Sequence, residues 1–431
     1  MRNNLLIWLT GWNFGTYNNF HRWLARIATV QAIVHSLGYS ALILRKGGWE
    51  YFWRLWALTF WWTGELATVF MSLLVVFSVF WVRRRQYEVF LVVHIVLSIL
   101  ILVTMLGHVW IFKGVYDALV WVPAVIWLLD RVLRGARIIA FNPVFWDTHA
   151  SVTYNEQAHM IRLVVPLSSN FYQVKPGTFC YIMVLNKWDF WESHPFTVAS
   201  VSGNNRSAAQ PQEHAPLLRS EPLSLDDMGI EPKRRAEEMT FLIRPYDSFT
   251  SRLKEHAESS YPKPATLRVA IDGPYGRTAP LERFDKVLFV VGGSGIAVPL
   301  SYLETLIASS KRPKAIYIHW AVQQSALAID VLHCELNEAL KSNRVRVNVY
   351  VTRSQGRVSS DETTCRFVEW RTGRMSTEGV IQATLSTEET DSLAVVACGP
   401  ARMADDCRRI VATKMVHSLP YIEYFEESFQ W

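Results

Sequence analysis

Four histidines are the first residues of this chain whose spacing suggests chemistry. His21 and His35 lie fourteen positions apart, as do His94 and His108, and no other histidine precedes His149. On an α-helix fourteen residues is close to four turns, so each pair projects from one face with about 21 Å between its members. Two such helices running in the same direction form two stacked His–His sites. Each site could ligate one haem iron from both sides, with one site near each leaflet of a membrane. Two plainer uses compete. A histidine in a membrane helix often only packs and hydrogen-bonds, and a row of ionisable groups can conduct protons. A proton path calls for carboxylates on the same faces, yet Glu65 is the only acid well inside an apolar stretch. Haem is the better account. Ligation by two neutral histidines leaves no open coordination position, which favours electron transfer over ligand chemistry.

The elements that must position these histidines are legible as hydropathy. The chain has 431 residues, half of them apolar, and the apolar residues concentrate between positions 20 and 132. Four stretches, at 20–44, 58–82, 88–112 and 115–133, approach the length of about 20 apolar residues that crosses a bilayer. The last is the shortest and contains Pro123. Basic clusters follow the second stretch (Arg83, Arg84, Arg85) and the fourth (Arg131, Arg134, Arg137), while the links after the first and third carry few. The positive-inside rule puts those clusters on the cytosolic side. The first and third helices then both run outward, and everything after Arg137 is cytosolic. The formal charge of +6 is modest for this length. Its placement beside the apolar stretches fits a lipid surface and argues against nucleic acid. The five cysteines, Cys180, Cys334, Cys365, Cys398 and Cys407, all lie in the soluble half without regular spacing, which argues against a disulfide framework and suits a reducing cytosol. Residues 1–12 are too short and interrupted for a signal peptide.

The soluble half reads as two folds in series. Alternating apolar runs at 160–166, 178–184 and 196–200, resuming at 239–244 and 266–271, predict an antiparallel β-barrel. Between them, about 202–238 is rich in Ser, Pro, Gln and charge and reads as a disordered insertion. From residue 286 strands and helices alternate: strand 287–291, helix 298–309, strand 315–321, helix 326–342, strand 345–352. That pattern predicts an open α/β sheet of dinucleotide-binding type. The expected domains are a cytosolic lead-in (1–19), a four-helix transmembrane haem domain (20–134), an antiparallel β-barrel domain (135–280) and an α/β domain of dinucleotide-binding type (286–431), the last two being the FAD-binding and NADP-binding domains that the resemblance described below implies.

Five motifs in the soluble half each have a chemical and a plain reading. His194-Pro195-Phe196-Thr197-Val198-Ala199-Ser200 offers a ring and a hydroxyl to a ligand, or is simply the entry to a strand. Asp272-Gly273-Pro274-Tyr275-Gly276 is a tight turn. Gly292-Gly293-Ser294-Gly295 follows an apolar strand and could bring backbone N–H groups to a phosphate, although a generic strand–turn–helix reads the same. Cys398, before Gly399-Pro400, could face a nicotinamide or be a buried structural thiol. Phe429 or Trp431, at the terminus, could stack on a flavin or fray.

Their order is more informative than any one of them. Asn19-Phe20-His21-Arg22-Trp23, the four-histidine pattern, and the motifs at 194–200, 272–276, 291–303, 397–403 and 426–431 together resemble the ferric reductase and NADPH oxidase superfamily, most of all fungal ferric-chelate reductases. The soluble half is similar to ferredoxin–NADP reductases. The resemblance implies FAD, NADPH and two b-type haems as cofactors. It implies an inner haem on His21 and His94 and an outer haem on His35 and His108. His194, Pro195, Phe196 and Thr197 would contact the FAD and Arg244 and Thr250 its pyrophosphate, and Gly273 and Pro274 are further cofactor-binding candidates. Gly292, Gly293, Ser294 and Gly295 would cradle the NADPH pyrophosphate. Cys398, Gly399 and Pro400 would border the nicotinamide, with Trp431 or Phe429 over the isoalloxazine.

Three departures accompany the resemblance. The family usually has six core membrane helices and this sequence starts just before the third, so an N-terminal truncation is expected. Asp247-Ser248 stand where the family commonly has Gly. Gln323-Gln324 replace a basic residue often found there, leaving Arg353 as the candidate for the 2′-phosphate. The implied activity is NADPH-dependent reduction of ferric or cupric chelates across a membrane, expected to be the plasma membrane. A superoxide-generating oxidase and an inactive membrane partner are the alternatives.

Overall fold

The computed structural model describes residues 9–10, 14–141, 148–167, 173–185, 192–202, 237–246, 248–353, 368–386, 391–415 and 421–427. The proposed insertion at 202–238 lies outside them except at its ends, where Ser202 closes one strand and Glu237 opens the next. The chain folds as two compact units, 1–136 and 137–431.

The first unit is helical: α1 (Phe14–Leu55), α2 (Thr59–Phe77), the short α3 (Phe80–Arg85), α4 (Tyr87–Val109) and α5 (Ala118–Phe141). Three helices, Gly15–Leu55, Thr59–Phe77 and Val89–Phe112, are long and apolar enough to cross a membrane. Their outer surfaces carry exposed Leu, Val, Ile and Trp, such as Leu37, Val69 and Val103, as a lipid-facing surface requires. In hydrocarbon every polar group needs an internal partner, and the hydroxyls find one within their own helices. Thr63 donates to the Thr59 carbonyl, Ser72 to Thr68 and Thr104 to Leu100. Between helices, Ser36 meets Thr68 at 2.9 Å and Ser40 donates to Glu65 at 3.3 Å.

Two expectations for this region are corrected. The first stretch is not confined to 20–44: the helix runs to Leu55, with a break at Gly48, whose φ of 67° lies in the left-handed region. The fourth does not begin at 115. Lys113 (φ 48°) and Gly114 (φ 93°) turn the chain there, and α5 starts at Ala118. Only the first half of α5 is continuously apolar, because Asp130, 2% exposed, forms an ion pair with Arg131.

The second unit opens with a closed antiparallel barrel, in the order β1-β2-β5-β4-β3-β6. Its strands are β1 (His149–Asn155), β2 (Met160–Leu167), β3 (Phe179–Val184), β4 (His194–Ser202), β5 (Glu237–Ile243) and β6 (Ala265–Tyr275). Inward residues such as Val152, Ile161, Leu163, Ile182 and Phe241 fill the interior. Helix α6 (Ser248–Ser260) adds Phe249, Leu253 and Ala257 to that core. The sequence reading overlooked this helix, although the spacing i, i+4, i+8 marks one face.

A six-stranded parallel sheet follows, in the order β10-β9-β8-β7-β11-β12. Its strands are β7 (Lys286–Gly292), β8 (Ala315–Val322), β9 (Val345–Val351), β10 (Val368–Thr372), β11 (Ser392–Cys398) and β12 (Tyr421–Glu426). Helices α7 (Ala297–Ala308) and α8 (Ser325–Cys334) lie on one face, and α9 (Thr377–Leu385) and α10 (Ala401–Met415) on the other. Central strand β7 is buried on both faces, which explains its unbroken apolar run. The single helix expected over 326–342 ends at Cys334: the N–H groups of Glu335 and Leu336 both return to the Val331 carbonyl, and a 3-10 turn follows at Ala339–Lys341.

Barrel and sheet share a core, in which Met160, Ala199 and Leu242 pack with Phe289 and Trp320. An ionic clamp reinforces it. Arg162 of β2 pairs with Asp330 and Glu335, each at 2.6 Å, and Asn155 donates to Asp330 at 2.8 Å. Burial works against the Arg162 charge, but the hydrogen bonds to Glu335 and Asp330 outweigh it, so the proton is held more tightly than in water.

Candidate functional site

The membrane unit brings the four histidines together in two pairs. The rings of His21 (α1) and His94 (α4) have centroids 6.2 Å apart, and those of His35 and His108 also 6.2 Å apart. A metal that takes one imidazole nitrogen on each side at about 2 Å sets ring centroids roughly 6 Å apart. Both pairs therefore fit a bis-histidine metal group. The described residues hold no cluster of three or more His, Cys, Asp or Glu that could bind a bare ion.

The two pairs differ in what stands behind them. His108 Nδ1 lies 2.8 Å from the Phe60 carbonyl. A carbonyl only accepts, so this nitrogen carries the proton and Nε2 keeps its lone pair. His94 Nδ1 faces the Ser78 hydroxyl at 3.4 Å, and that hydroxyl donates to the Leu74 carbonyl.

In the second unit the expected dinucleotide residues collect at one edge of the parallel sheet. Strands β8, β9 and β10 run to one side of β7, and β11 and β12 to the other. The strand order therefore reverses between β7 and β11, and crevices at such switch points bind ligands at the carboxyl ends of strands. Gly292–Gly295 follows β7, Gln323 and Gln324 follow β8, Arg353 follows β9, and Gly399 and Pro400 follow β11. The glycines have spatial reasons. A Cβ at Gly292 would sit 2.6 Å from Pro400 Cδ, and one at Gly399 2.9 Å from the Gly292 nitrogen. A Cβ at Gly295 would lie 2.9 Å from the Cys398 carbonyl carbon. The two loops thus meet backbone to backbone, leaving a cradle that side chains would fill. Gly293 adopts φ 55°, and its carbonyl accepts from Trp320 Nε1 at 2.8 Å. Trp320, fully buried, anchors the loop; sequence reasoning treated it only as part of a strand.

Cys398 is also fully buried, and burial, then the Glu427 carboxylate, pushes its thiol well above the ordinary range. It is a neutral thiol and not a nucleophile. Glu427, which the sequence reading passed over, donates its backbone N–H to Ala397 at 3.0 Å. Burial, then the charge of Glu426, raises its carboxyl to about 7. Phe429 and Trp431 lie outside the described residues.

The barrel residues gather around α6. His194 stacks on Phe249 at 4.3 Å and Phe196 stacks on the same ring at 6.2 Å. Thr250 accepts from the Tyr246 N–H at 2.8 Å. The Thr197 hydroxyl is buried and has no hydrogen-bond partner among the described residues, an orphan that a polar ligand would satisfy. Together the aromatic shelf and the hydroxyl fit a flavin. Gly273 packs against Cys180, where a Cβ would come within 2.8 Å of Sγ, so barrel packing alone accounts for that glycine, and Pro274 continues β6. Arg244 points toward the sheet edge, donating to Gln323 at 3.4 Å, with Nη1 4.0 Å from a Cβ placed on Gly293. Asp247 lies outside the described residues.

Comparison with known proteins agrees with this arrangement. Residues 1–105 match the family described as ferric reductase like transmembrane component, 146–208 an FAD-binding domain and 284–365 a ferric reductase NAD binding domain. Ferric reductase transmembrane component 6 of Saccharomyces cerevisiae is 30% identical over an alignment that covers all of this chain and 57% of the relative. Component 4 of the same yeast is 27% identical, with 60% of its length covered. Ferric/cupric reductase transmembrane component 1 of Candida albicans is 24% identical, with 54% covered. The chain thus spans little more than half the length of these curated relatives. A stretch that matches the ferric reductase transmembrane component, an FAD-binding domain and a ferric reductase NAD binding domain follow one another in a single chain, which is similar along its whole length to fungal ferric reductase transmembrane components.

Proposed function

We propose that this chain carries electrons from NADPH through FAD and two b-type haems to a ferric or cupric chelate on the opposite side of the membrane. The observation that carries the reading is the pair of matched histidine sites, each at 6.2 Å, on the same chain as a dinucleotide edge. When bound, the nicotinamide and flavin supply hydride chemistry and the haems single-electron transfer, since such chemistry belongs to the cofactors.

The chain's own residues bind and orient. His21 with His94 holds the inner iron, and His35 with His108 the outer. The glycine edge at 292–295 presents backbone N–H groups to the NADPH pyrophosphate, with Arg353 nearest for the 2′-phosphate. Gly399 and Pro400 form the floor beneath the nicotinamide, and buried Cys398 borders it as a neutral, water-excluding wall. His194, Pro195, Phe196 and Thr197 seat the flavin, Arg244 and Thr250 its phosphates, and Phe429 or Trp431 covers the ring. The soluble unit faces the cytosol, consistent with the basic clusters at 83–85 and 131–137, and the plasma membrane is the proposed location. A reduced-minus-oxidised spectrum of membranes containing the chain, with NADPH as sole reductant, tests the path. b-type haem bands support it, and a chain that binds flavin but no haem refutes it.

A further inference from the structure

Helix α2 contributes no histidine, yet it touches one of the two pairs closely. His108 leans into a notch at Gly64: a Cβ there would overlap the ring, lying 2.7 Å from Cε1 and 3.2 Å from Cγ and closer still to Nδ1. One turn earlier on the same helix, the Phe60 carbonyl receives the His108 Nδ1 proton at 2.8 Å. Phe60 and Gly64 are i and i+4, so they stand one above the other on a single face. The notch sets where the ring lies and the carbonyl sets which nitrogen is free. The adjoining contact is reciprocal, with Thr63 packed into a notch at Gly107, where a Cβ would come within 2.8 Å of the Thr63 methyl. Behind His94, among the described residues, Nδ1 faces the Ser78 hydroxyl at the C-cap of α2, at the longer distance of 3.4 Å.

We propose that Gly64 is a positioning residue for the outer site: it admits the His108 ring to the Phe60 carbonyl, so that Nε2 is presented to iron at a fixed angle. The proposal rests on the haem reading above and adds an asymmetry to it. Among the described residues the outer site is seated by a notch and a backbone carbonyl of α2, and the inner site by one longer hydroxyl contact at the end of that helix. A carbonyl hydrogen bond to the distal ring nitrogen also raises ligand basicity, so the His108 ligand field is the stronger of the two.

The test is Gly64→Ala in the full chain, with haem counted against flavin in the purified protein. Two haems per flavin are expected in the unmodified chain and one in the variant, the remaining haem keeping its wild-type midpoint potential. Gly38→Ala is the control, because Gly38 has nothing within 4 Å of its Cβ position; it should keep both haems. Both sites lie between the same two helices, α1 and α4, so a general loosening of the bundle would strip or shift both haems together. That result, or two unshifted haems in Gly64→Ala, overturns the proposal. A second measurement does not depend on whether Gly64→Ala folds. Low-spin haem EPR should resolve two signals, with the stronger ligand field belonging to the one lost in His108→Ala. Equal ligand fields, or the stronger belonging to the signal lost in His94→Ala, also overturn it. Absence of haem from the unmodified chain would instead refute the proposed function itself.

Discussion

The membrane unit and the soluble unit encode their sites in opposite ways. In the membrane unit the helices are apolar rods, and the proposed function rests chiefly on side-chain identity at four positions, His21, His35, His94 and His108. In the soluble unit many contacts depend on a side chain that is missing: Gly292, Gly295 and Gly399 let two loops meet backbone to backbone. One design places a few ligands on simple supports. The other shapes backbone through a packed core. The first should fail all at once under substitution, and the second by degrees.

The largest expected effect sharpens that contrast. On the proposed function His108→Ala removes a haem ligand outright. Loss of an outer-shell partner already costs about 10- to 100-fold, so NADPH-driven chelate reduction should fall by more than that. Reduction of the flavin by NADPH in the same preparation should stay unchanged. Loss of both activities would show that the units are not independent. Next comes Arg162→Ala, which leaves Asp330 and Glu335 facing each other without their cation, their side chains only 10% and 9% exposed. Breaking a buried pair this way costs about 3–5 kcal/mol. Thermal unfolding followed by flavin release should move to lower temperature, with the haem spectrum retained until that point. Gly295→Val should be milder. Its Cβ presses on the Cys398 carbonyl, and overpacking of this kind costs about 1–3 kcal/mol, so the KM for NADPH should rise about 10- to 100-fold. An unchanged KM would mean that this loop does not cradle the NADPH pyrophosphate.

How much of this was legible in the sequence follows the same division. The histidine spacing survives into three dimensions because a helix has one geometry, and position on it maps directly to direction. The barrel and the parallel sheet were readable from alternation and from the switch to buried runs at β7. What escaped was set by tertiary contact. Nothing local says that Trp320 bonds the Gly293 carbonyl, because the partners are separated by 27 positions and meet only when β7 pairs with β8. Gly64 was invisible for the same reason: a glycine in an apolar helix is common, and its notch has meaning only when His108 lies opposite. α6 had a readable face at Phe249, Leu253 and Ala257, but its polar remainder and the adjacent Pro-rich turn obscured it.

The smallest effect concerns Glu427, at the meeting of β11 and the chain end. Its carboxyl is raised from 4.5 to about 7, so the folded state resists ionising it more than the unfolded state does. Below pH 4.5 the group is protonated in both states and costs nothing. As pH rises from 4.5 through about 7 the unfolded state ionises first, and the folded state loses relative stability across that window. The full shift would be worth roughly 3 kcal/mol, and partial solvent access reduces it to about 1–2 kcal/mol. Glu427→Gln removes the titration. Thermal unfolding of the soluble unit in the intact chain should therefore show wild type and variant alike at pH 4.5 and the variant more stable at pH 8. Parallel pH profiles would mean that Glu427 is solvated in the working protein. Its role beside Cys398 would then have to be reassigned, and with it the graded, packing-based character claimed for this edge of the sheet.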